Sequence, residues 1–303
     1  MKGLFIDAVD ALASVYSANR QPGDPPIDVN EQEDISPEAL PGLLAGYHFM
    51  LNDHTTLPTD AMALCRDLKH VIFLGTGAHS YMNPKELQEL GIKVHTIRGY
   101  GDIAVAEHAI ALMWAAARGL ARMDRDLRAG VWTRTEGVQL EGKTLGLVGF
   151  GGIAEQVARI ALGAGMKVIA WNRTPKINPG VEFLNIDTVL AASHVLSLHL
   201  LLTDETRAFL DAARLARLRP GVILINTARG ALIEEAALVA ALRSGAIFHA
   251  GLDVFETEPL PPGHALTTLE NVTLSAHSAF RTPEASDTLL RRALDIACAV
   301  VKA

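Results

Sequence analysis

The stretch LGLVGFGGIAEQVARIALGAG (residues 145–165) runs from an apolar segment typical of a buried strand, through a glycine-rich turn, into an amphipathic helix. Its spacing is G-x-G-x-x-A: Gly149 allows a tight turn, Gly151 allows a phosphate to approach the backbone, and Ala154 lets helix and strand pack closely. This pattern predicts a dinucleotide-binding turn. The same spacing also occurs in plain tight turns, but the flanking strand and helix favour the dinucleotide. The predicted cofactor contacts are Gly149, Phe150, Gly151, Gly152 and Ile153.

The end of the next predicted strand, VIAWNRTPK (residues 168–176), indicates which dinucleotide binds. Sites for NAD(H) usually carry Asp or Glu here, whereas this chain has Asn172, Arg173 and Thr174. An acidic residue would repel a 2′-phosphate, and Arg173 between polar neighbours can bind one. The sequence therefore favours NADP(H) over NAD(H). In the alternative, Arg173 lies over the adenine ring and the preference stays open.

The whole chain of 303 residues alternates short apolar or β-branched segments with longer helical ones. This alternation is typical of α/β proteins with parallel sheets, and the length suits two domains. A helix is predicted from 103 to about 123, long enough to bridge two domains, and another from Pro283 onward. Strands are predicted at 4–6, 47–50, 71–74, 93–95, 144–148, 167–170, 195–198, 222–225, 249–251 and 272–274.

The composition argues against a nucleic-acid partner. The formal net charge is −7, whereas binding to a phosphate backbone needs concentrated Lys and Arg. The Arg-containing stretch 118–128 is interrupted by Asp124 and Asp126 and is interpreted as a surface helix. Cys65 and Cys298 form no disulfide framework, and the His and Cys spacings predict no metal site. Without a segment typical of a signal peptide or a membrane span, we expect no membrane partner and a cytoplasmic location.

Reactive side chains follow each of the last three predicted strands. In chain order they are Arg229, then Asp253 and Glu258, then His277. Because the carboxyl ends of parallel strands line the ligand crevice of an open sheet, we expect these groups to converge beside the cofactor.

Six motifs and the segment around His277 together resemble the D-isomer-specific 2-hydroxyacid dehydrogenase family. Most of the chain is covered, and several motifs in the family's order are far more specific than any one of them. The motifs are LGTGAHSYMNP (74–84), AVAEHAIALMWAAAR (104–118), LEGKTLGLVGFGGIA (140–154), SLHLLLTDET (197–206), INTARGALIEEAAL (225–238) and GLDVFETEPLP (251–261).

The resemblance implies a doubly wound Rossmann cofactor domain, residues 99–278, inserted in a smaller flavodoxin-like α/β substrate domain of residues 1–98 and 279–303. It implies a homodimer and places the family's catalytic residues on Arg229, Glu258 and His277. Asp253 would hold the nicotinamide carboxamide. The backbone N–H groups expected to receive the substrate carboxylate belong to Gly75, Thr76, Gly77 and Ala78. Further cofactor contacts are implied for Thr203, Thr227, Ala228 and His199, the last with a structural role as an open alternative.

The chemistry of a 2-oxo acid reduction suits these side chains. Hydride arriving at carbon requires a proton donor at the carbonyl oxygen, and His serves this purpose near neutral pH. A neighbouring Glu258 would favour the protonated imidazole, and Arg229 would hold the substrate carboxylate with its planar donors. Ala276 stands where the family usually has Pro before the His, so a less rigid loop is expected.

The predicted function is therefore NAD(P)-dependent reduction of a small 2-oxo acid such as glyoxylate or hydroxypyruvate. Phosphoglycerate dehydrogenase is an alternative, but Asn52, Asp53 and His54 lie where that branch tends to carry an Arg for the phosphate. Formate dehydrogenase is disfavoured because that branch has a Gln–His pair. From another class, a dinucleotide-sensing corepressor uses the same fold, with binding and not turnover as its output.

Overall fold

A computed structural model describes residues 1–9, 11–174 and 176–302. The chain forms two compact units, one of Met1–Gly101 with Arg281–Ala303 and one of Asp102–Phe280. The boundaries predicted from the sequence, 98/99 and 278/279, lie two or three residues before the observed ones at 101/102 and 280/281.

Twelve strands and eleven α-helices are described. The strands are β1 Gly3–Phe5, β2 Ile27–Val29, β3 Phe49–Asn52, β4 His70–Phe73, β5 Lys93–Thr96, β6 Thr144–Val148, β7 Lys167–Trp171, β8 Val181–Phe183, β9 Val195–Leu198, β10 Val222–Asn226, β11 Ile247–Leu252 and β12 Val272–Leu274. The helices are α1 Leu12–Asn19, α2 Leu40–Leu43, α3 Thr59–Met62, α4 Pro84–Glu89, α5 Asp102–Arg118, α6 Leu120–Arg128, α7 Gly152–Gly163, α8 Ile186–Ala192, α9 Ala212–Leu215, α10 Glu235–Ser244 and α11 Pro283–Lys302.

The first unit contains a five-stranded parallel sheet in the order β2-β1-β3-β4-β5. This is the flavodoxin-like order, so the fold expected for the smaller domain is confirmed. The strand order reverses between β1 and β3, and the segments that follow these two strands therefore meet at one edge of the sheet.

Helix α11 returns to the first unit, against α1 and β4. The side chain of Thr282 caps its first turn by accepting a hydrogen bond from the backbone N–H of Ala285. Its buried stripe includes Leu289, Leu290 and Leu294, each no more than 1% exposed. Burying each Leu stabilises the unit by roughly 1.5–3 kcal/mol, so the apolar stripe seen in the sequence accounts for where this helix packs.

The second unit contains a seven-stranded parallel sheet in the order β12-β11-β10-β9-β6-β7-β8. It is covered on both faces: Leu147 belongs to one core and its neighbour Val148 to the other. Because both faces are buried, its strands are almost continuously apolar. The strand order reverses between β6 and β9, as in the doubly wound Rossmann fold, which confirms the fold expected for the cofactor domain.

The predicted helix 103–123 is wrong as a single element, because the chain breaks at Gly119 into α5 and α6, which bend by 68°. Gly119 has a left-handed backbone (φ 62°), and a Cβ there would lie 2.8 Å from the Thr135 hydroxyl. Thr135 and Val138 donate hydrogen bonds to the last carbonyls of α5, at Arg118 and Ala117. Helix α5 packs on α7, β10 and β11 of its own unit.

Helix α6 has no buried residue, as expected of a surface helix, and Arg128 pairs with Asp124 at 2.9 Å. No single helix among residues 1–9, 11–174 and 176–302 is long and apolar enough to cross a membrane. The strands β2 and β8 were not predicted. Each has only three residues at a sheet edge, a segment too short to show the period of a strand clearly in the sequence.

Candidate active site

The glycine-rich turn joins β6 to α7 at the point where the strand order of the second unit reverses. Gly149 has a φ of 87°, and a Cβ on it would lie 2.7 Å from the backbone oxygen of His199. A Cβ on Gly152 would lie 1.9 Å from Oδ2 of Asp102, whereas one on Gly151 would meet nothing within 4 Å. The open space beside Gly151 at the N-terminus of a helix suits a bound phosphate, so these residues fit a dinucleotide.

Among the residues after β7, one side chain supports the glycine-rich turn and two others place positive charges nearby. The side chain of Asn172 accepts a hydrogen bond from Phe150 N (3.0 Å) and donates one to Thr174 O (2.7 Å), so it holds the glycine-rich turn. Arg173 is 85% exposed and pairs at 3.4 Å with Glu205. Lys176 donates from Nζ to the backbone oxygen of Phe150 (2.6 Å), a cation beside the turn that the sequence analysis missed. Its nearness to Thr174 in the sequence was the available signal.

The other predicted cofactor contacts lie after β9 and β10. Burial lowers the pKa of His199 to about 4, so its imidazole is neutral near pH 7, and Nε2 lies 2.9 Å from Ser197 Oγ. Thr203 is exposed, and its N–H donates to Thr206 Oγ1. The hydroxyl oxygen of Thr227 is buried without a hydrogen-bond partner among the described residues. A buried hydroxyl without a partner is costly, which suits a position that meets a ligand.

The side chains of His277 and Glu258 meet beyond the ends of β12 and β11. His277 Nδ1 lies 2.6 Å from Glu258 Oε2, and Glu258 Oε1 accepts a hydrogen bond from Phe255 N (2.8 Å). Burial acts to raise the pKa of Glu258, but the hydrogen bonds from His277 and Phe255 and the charges of His277 and Arg229 together hold that pKa below its usual value. Glu258 is therefore an ionised partner for the imidazole.

Arg229 follows β10 and lies in the same part of the second unit, since its charge acts on Glu258. Its backbone is extended, at φ −150° and ψ 141°. One guanidinium nitrogen donates to the backbone oxygen of Ala228 at 2.6 Å. The remaining donors of the planar fork can hold a carboxylate.

The loop that carries His277 is tied to Asp253, which is fully buried. The carboxylate accepts hydrogen bonds from Ser275 Oγ (2.6 Å), Ser278 N (3.0 Å) and Ala279 N (2.9 Å). The backbone oxygen of Asp253 accepts one from His277 N (2.7 Å). His277 itself has a left-handed backbone (φ 48°), a conformation that costs a non-glycine residue roughly 1–2 kcal/mol. These bonds constrain the loop even though Ala276 replaces the family's usual Pro.

The comparison with protein families decides what kind of enzyme this is. Residues 110–279 match the family model described as D-isomer specific 2-hydroxyacid dehydrogenase, NAD binding domain. This chain belongs to the D-isomer-specific 2-hydroxyacid dehydrogenases. The family recognised from the sequence motifs is thereby confirmed, and the protein is an NAD(P)-dependent oxidoreductase of 2-hydroxy acids.

Individual proteins that are similar to this chain support the same family assignment. The chain is 39% identical over 236 residues to a hydroxypyruvate reductase of Thermotoga maritima, covering 76% of this chain and 77% of that protein. It is 42% identical over 218 residues to a glyoxylate reductase of Aeropyrum pernix, covering 68% of this chain but 64% of the relative's length. A crystal structure of a Thermus thermophilus protein is similar with a TM-score of 0.88 and 33% identity, covering 100% and 97% of the two chains.

The first unit of the dehydrogenase carries the loop expected to receive a carboxylate. It follows β4, and Gly75 N donates to Phe73 O at 2.8 Å. Among the described residues, the N–H groups of Thr76, Gly77 and Ala78 have no hydrogen-bond acceptor. Neighbouring backbone donors of this kind can bind an anion, so the arrangement suits the carboxylate contact that the sequence motif predicts.

A second feature of the first unit is the segment after β3, at the strand-order reversal. The buried carboxylate of Asp7 accepts hydrogen bonds from the backbone N–H groups of Asp53, His54 and Thr55, at 2.8–2.9 Å. His54 Nδ1 lies 3.3 Å from Asp53 Oδ2 and 3.7 Å from Asp7 Oδ2. The pKa of His54 is raised, and the hydrogen bond with Asp53 is the largest cause. Asp7 and the backbone oxygen of Glu33 raise it further, whereas burial acts to lower it. Two carboxylates here oppose a phosphate group.

This raised pKa predicts a pH-dependent contribution to stability. A His with a raised pKa stabilises the folded state fully below its ordinary pKa of 6.5, and the effect disappears as pH rises through the raised value. We expect His54→Gln to lower the free energy of unfolding by less than about 1 kcal/mol at about pH 5.5, and by almost nothing at about pH 8.5. Urea titrations at both pH values measure it.

His48→Gln is the matched control for this prediction. The ring of His48 accepts a hydrogen bond from Lys2 N and contacts no carboxylate among the described residues. Its replacement is expected to have the same effect at both pH values. A His54→Gln effect that did not change with pH would contradict the assignment.

No group of three or more His, Cys, Asp or Glu side chains able to hold a metal ion occurs in the part of the chain that the structure describes.

Proposed function

We propose that this dehydrogenase reduces small 2-oxo acids, of which glyoxylate and hydroxypyruvate are the leading substrates, with NADPH preferred to NADH. The hydrogen-bonded pair of His277 and Glu258 at 2.6 Å, beside Arg229 and in the same unit as the dinucleotide turn, carries the proposal. The names of the hydroxypyruvate reductase and glyoxylate reductase relatives support this substrate class.

In this proposal each side chain has one task. Glu258 binds Nδ1 of His277, which leaves Nε2 to donate a proton to the keto oxygen of the substrate. Arg229 binds the substrate carboxylate and polarises the carbonyl group. Asp253 fastens the loop of His277, and the carboxamide contact implied by the family stays a prediction. The bound nicotinamide supplies the hydride.

The preference for NADPH rests on the residues after β7. Arg173 is exposed, Lys176 lies close to the turn, and no acidic residue occurs at 172–174. A 2′-phosphate would replace Glu205 as the partner of Arg173. In the alternative, in which Arg173 covers the adenine, the preference between the two cofactors stays open.

We therefore expect Arg173→Ala to raise the KM for NADPH about tenfold or more, because a hydrogen bond to a charged group contributes roughly 1.5–3 kcal/mol. The KM for NADH should change little. Initial rates with each cofactor at saturating glyoxylate measure both values. Arg159→Ala, which removes an exposed Arg on α7 of the same unit, is the control expected to change neither. Equal or better rates of the unaltered protein with NADH would overturn the preference.

A substrate panel tests the function itself. NADPH oxidation should be fast with glyoxylate and hydroxypyruvate and slow with 3-phosphohydroxypyruvate, since Asn52, Asp53 and His54 occupy the segment in which phosphoglycerate-type members tend to carry an Arg for the phosphate. Fast turnover of the phosphorylated acid would favour a phosphoglycerate dehydrogenase. Tight NADPH binding without turnover of any 2-oxo acid would favour the corepressor.

We also propose a cytoplasmic homodimer. Four large apolar side chains are more than half exposed on α6 and the segment after it, namely Leu120, Leu127, Val131 and Trp132. A cluster of this kind is typical of a protein interface. Light scattering of the purified protein would measure twice the mass of one chain, and Trp132→Glu should shift it toward one.

A further inference from the structure

His108, in the middle of α5, is a side chain that the proposed reaction does not use. Its Nε2 lies 2.8 Å from Ser275 Oγ and 3.4 Å from Asp253 Oδ1. Ser275 precedes His277 by two residues and donates to the same carboxylate at 2.6 Å. A continuous row of polar groups therefore connects a buried helix to the loop of His277.

Which group donates in each of these hydrogen bonds follows from the protons that Asp253, Ser275 and His108 carry. Burial acts to raise the pKa of Asp253, but the bonds from His108, Ser275, Ser278 and Ala279 together lower it, so the carboxylate is ionised and accepts only. The single hydroxyl proton of Ser275 therefore goes to Asp253. The oxygen of Ser275 can then only accept from His108, whose Nε2 must carry a proton.

The loop depends on this arrangement because His277 has a left-handed backbone. Its conformation is held on both sides by Asp253, through Ser275 Oγ before it and the N–H groups of Ser278 and Ala279 after it. Helix α5 buries eight residues and packs on β10, β11 and β12 of the sheet of its unit. The side chain of His108 joins this helix to the loop through Ser275 and Asp253.

We propose that His108 and Ser275 are positioning residues that act through Asp253 to hold the imidazole of His277 where it can donate its proton. This inference rests on the proposed function. His108 touches neither of the groups assigned to the reaction, Glu258 and Arg229, in any bond that the described residues make. By donating to Ser275 Oγ, the Nε2–H of His108 fixes the orientation of the loop. A side chain of equal size without a donor cannot do this.

Two substitutions at each position test the proposal. His108→Leu and Ser275→Ala remove the donor and the hydroxyl, whereas His108→Gln and Ser275→Thr keep an N–H and a hydroxyl. We expect kcat for glyoxylate with NADPH to fall about tenfold or more in the first pair, since a misplacement of about 1 Å costs about a hundredfold. The KM for glyoxylate should stay near that of the unaltered protein, and the second pair should recover most of kcat.

A double variant distinguishes one shared route from two separate effects. If both residues act through Asp253, His108→Leu combined with Ser275→Ala lowers kcat no further than the more harmful single change. The control is a second imidazole and hydroxyl pair of the same unit, His249 Nε2 and Thr273 Oγ1, which lie 2.9 Å apart. Among the described residues, neither side chain forms a hydrogen bond with Ser275, Asp253 or His277. His249→Leu should leave kcat unchanged.

Several results would overturn the proposal. They are an unchanged kcat in His108→Leu or Ser275→Ala, an equal loss in His108→Gln and His108→Leu, multiplied losses in the double variant, and a loss confined to KM. If Ser275→Ala does not fold, the two His108 variants decide. A failure of the proposed function is distinguishable, because the unaltered protein would then turn over none of the 2-oxo acids, whereas a failure of this inference leaves its activity intact.

Discussion

His277→Asn is expected to lower kcat/KM for glyoxylate reduction by about 10²–10⁴-fold, the contribution typical of a general acid. The reason lies in which nitrogen is lost. An Asn amide can replace Nδ1 in the hydrogen bond to Glu258, now 2.6 Å long, but it does not extend to the position of Nε2. The variant therefore keeps the support of the loop and loses the proton donor. Steady-state rates with NADPH measure the loss.

The chain contains a matched control for this experiment. His264 Nε2 lies 2.9 Å from Glu235 Oε1, a His–Glu pair of the same unit with similar exposure. His264→Asn removes this pair and should change the rate less than about twofold, because it belongs to neither the turn nor the catalytic loop. A wild-type rate in His277→Asn would exclude His277 as the acid.

Glu258 should support His277 throughout the neutral pH range and lose this effect only at low pH. The pKa of Glu258 is held below its usual 4.5, so the carboxylate is ionised throughout the neutral range. A group with a lowered pKa acts fully above its ordinary value and loses its effect as pH falls through the lowered one.

Arg229→Gln should have the second largest effect, a fall in kcat/KM of about 10²–10³-fold, as is typical when one preorganised donor to a developing charge is removed. KM for glyoxylate should rise and kcat should fall, because Arg229 is proposed to bind the carboxylate and polarise the carbonyl. Arg229→Lys keeps the charge but not the planar fork, and it should recover only a small part of the rate.

Arg217→Gln provides the comparison for Arg229. Arg217 is half-exposed and pairs with Asp187 at 2.7 Å on the surface of the same unit. Its replacement removes a guanidinium and a salt bridge of little energetic value, so the rate should not change. Full activity in Arg229→Lys would contradict the need for bidentate binding, and full activity in Arg229→Gln would remove Arg229 from the site.

Much of the fold could be predicted because it depends on local patterns. The strand at Thr144–Val148 and the helix after it follow from an apolar run, a glycine spacing and an amphipathic pattern, a combination typical of dinucleotide-binding turns. The break at Gly119 could not, since a Gly inside an amphipathic pattern is usually tolerated. What decides it is Thr135, sixteen residues further along the chain, which occupies the space that a Cβ at 119 would need.

Some residues of the candidate site could likewise be predicted from the sequence, and others could not. The sequence alone determined the family and the glycine-rich turn. It predicted Arg229, Glu258 and His277 as catalytic residues, because each follows an apolar strand in a recognisable motif. Only the tertiary structure decided that Asn172 supports the turn, that Lys176 lies beside it, and that His108 is connected to the catalytic loop. These are hydrogen bonds between residues up to 167 positions apart in the chain, and spacing along a sequence carries no information about such distances.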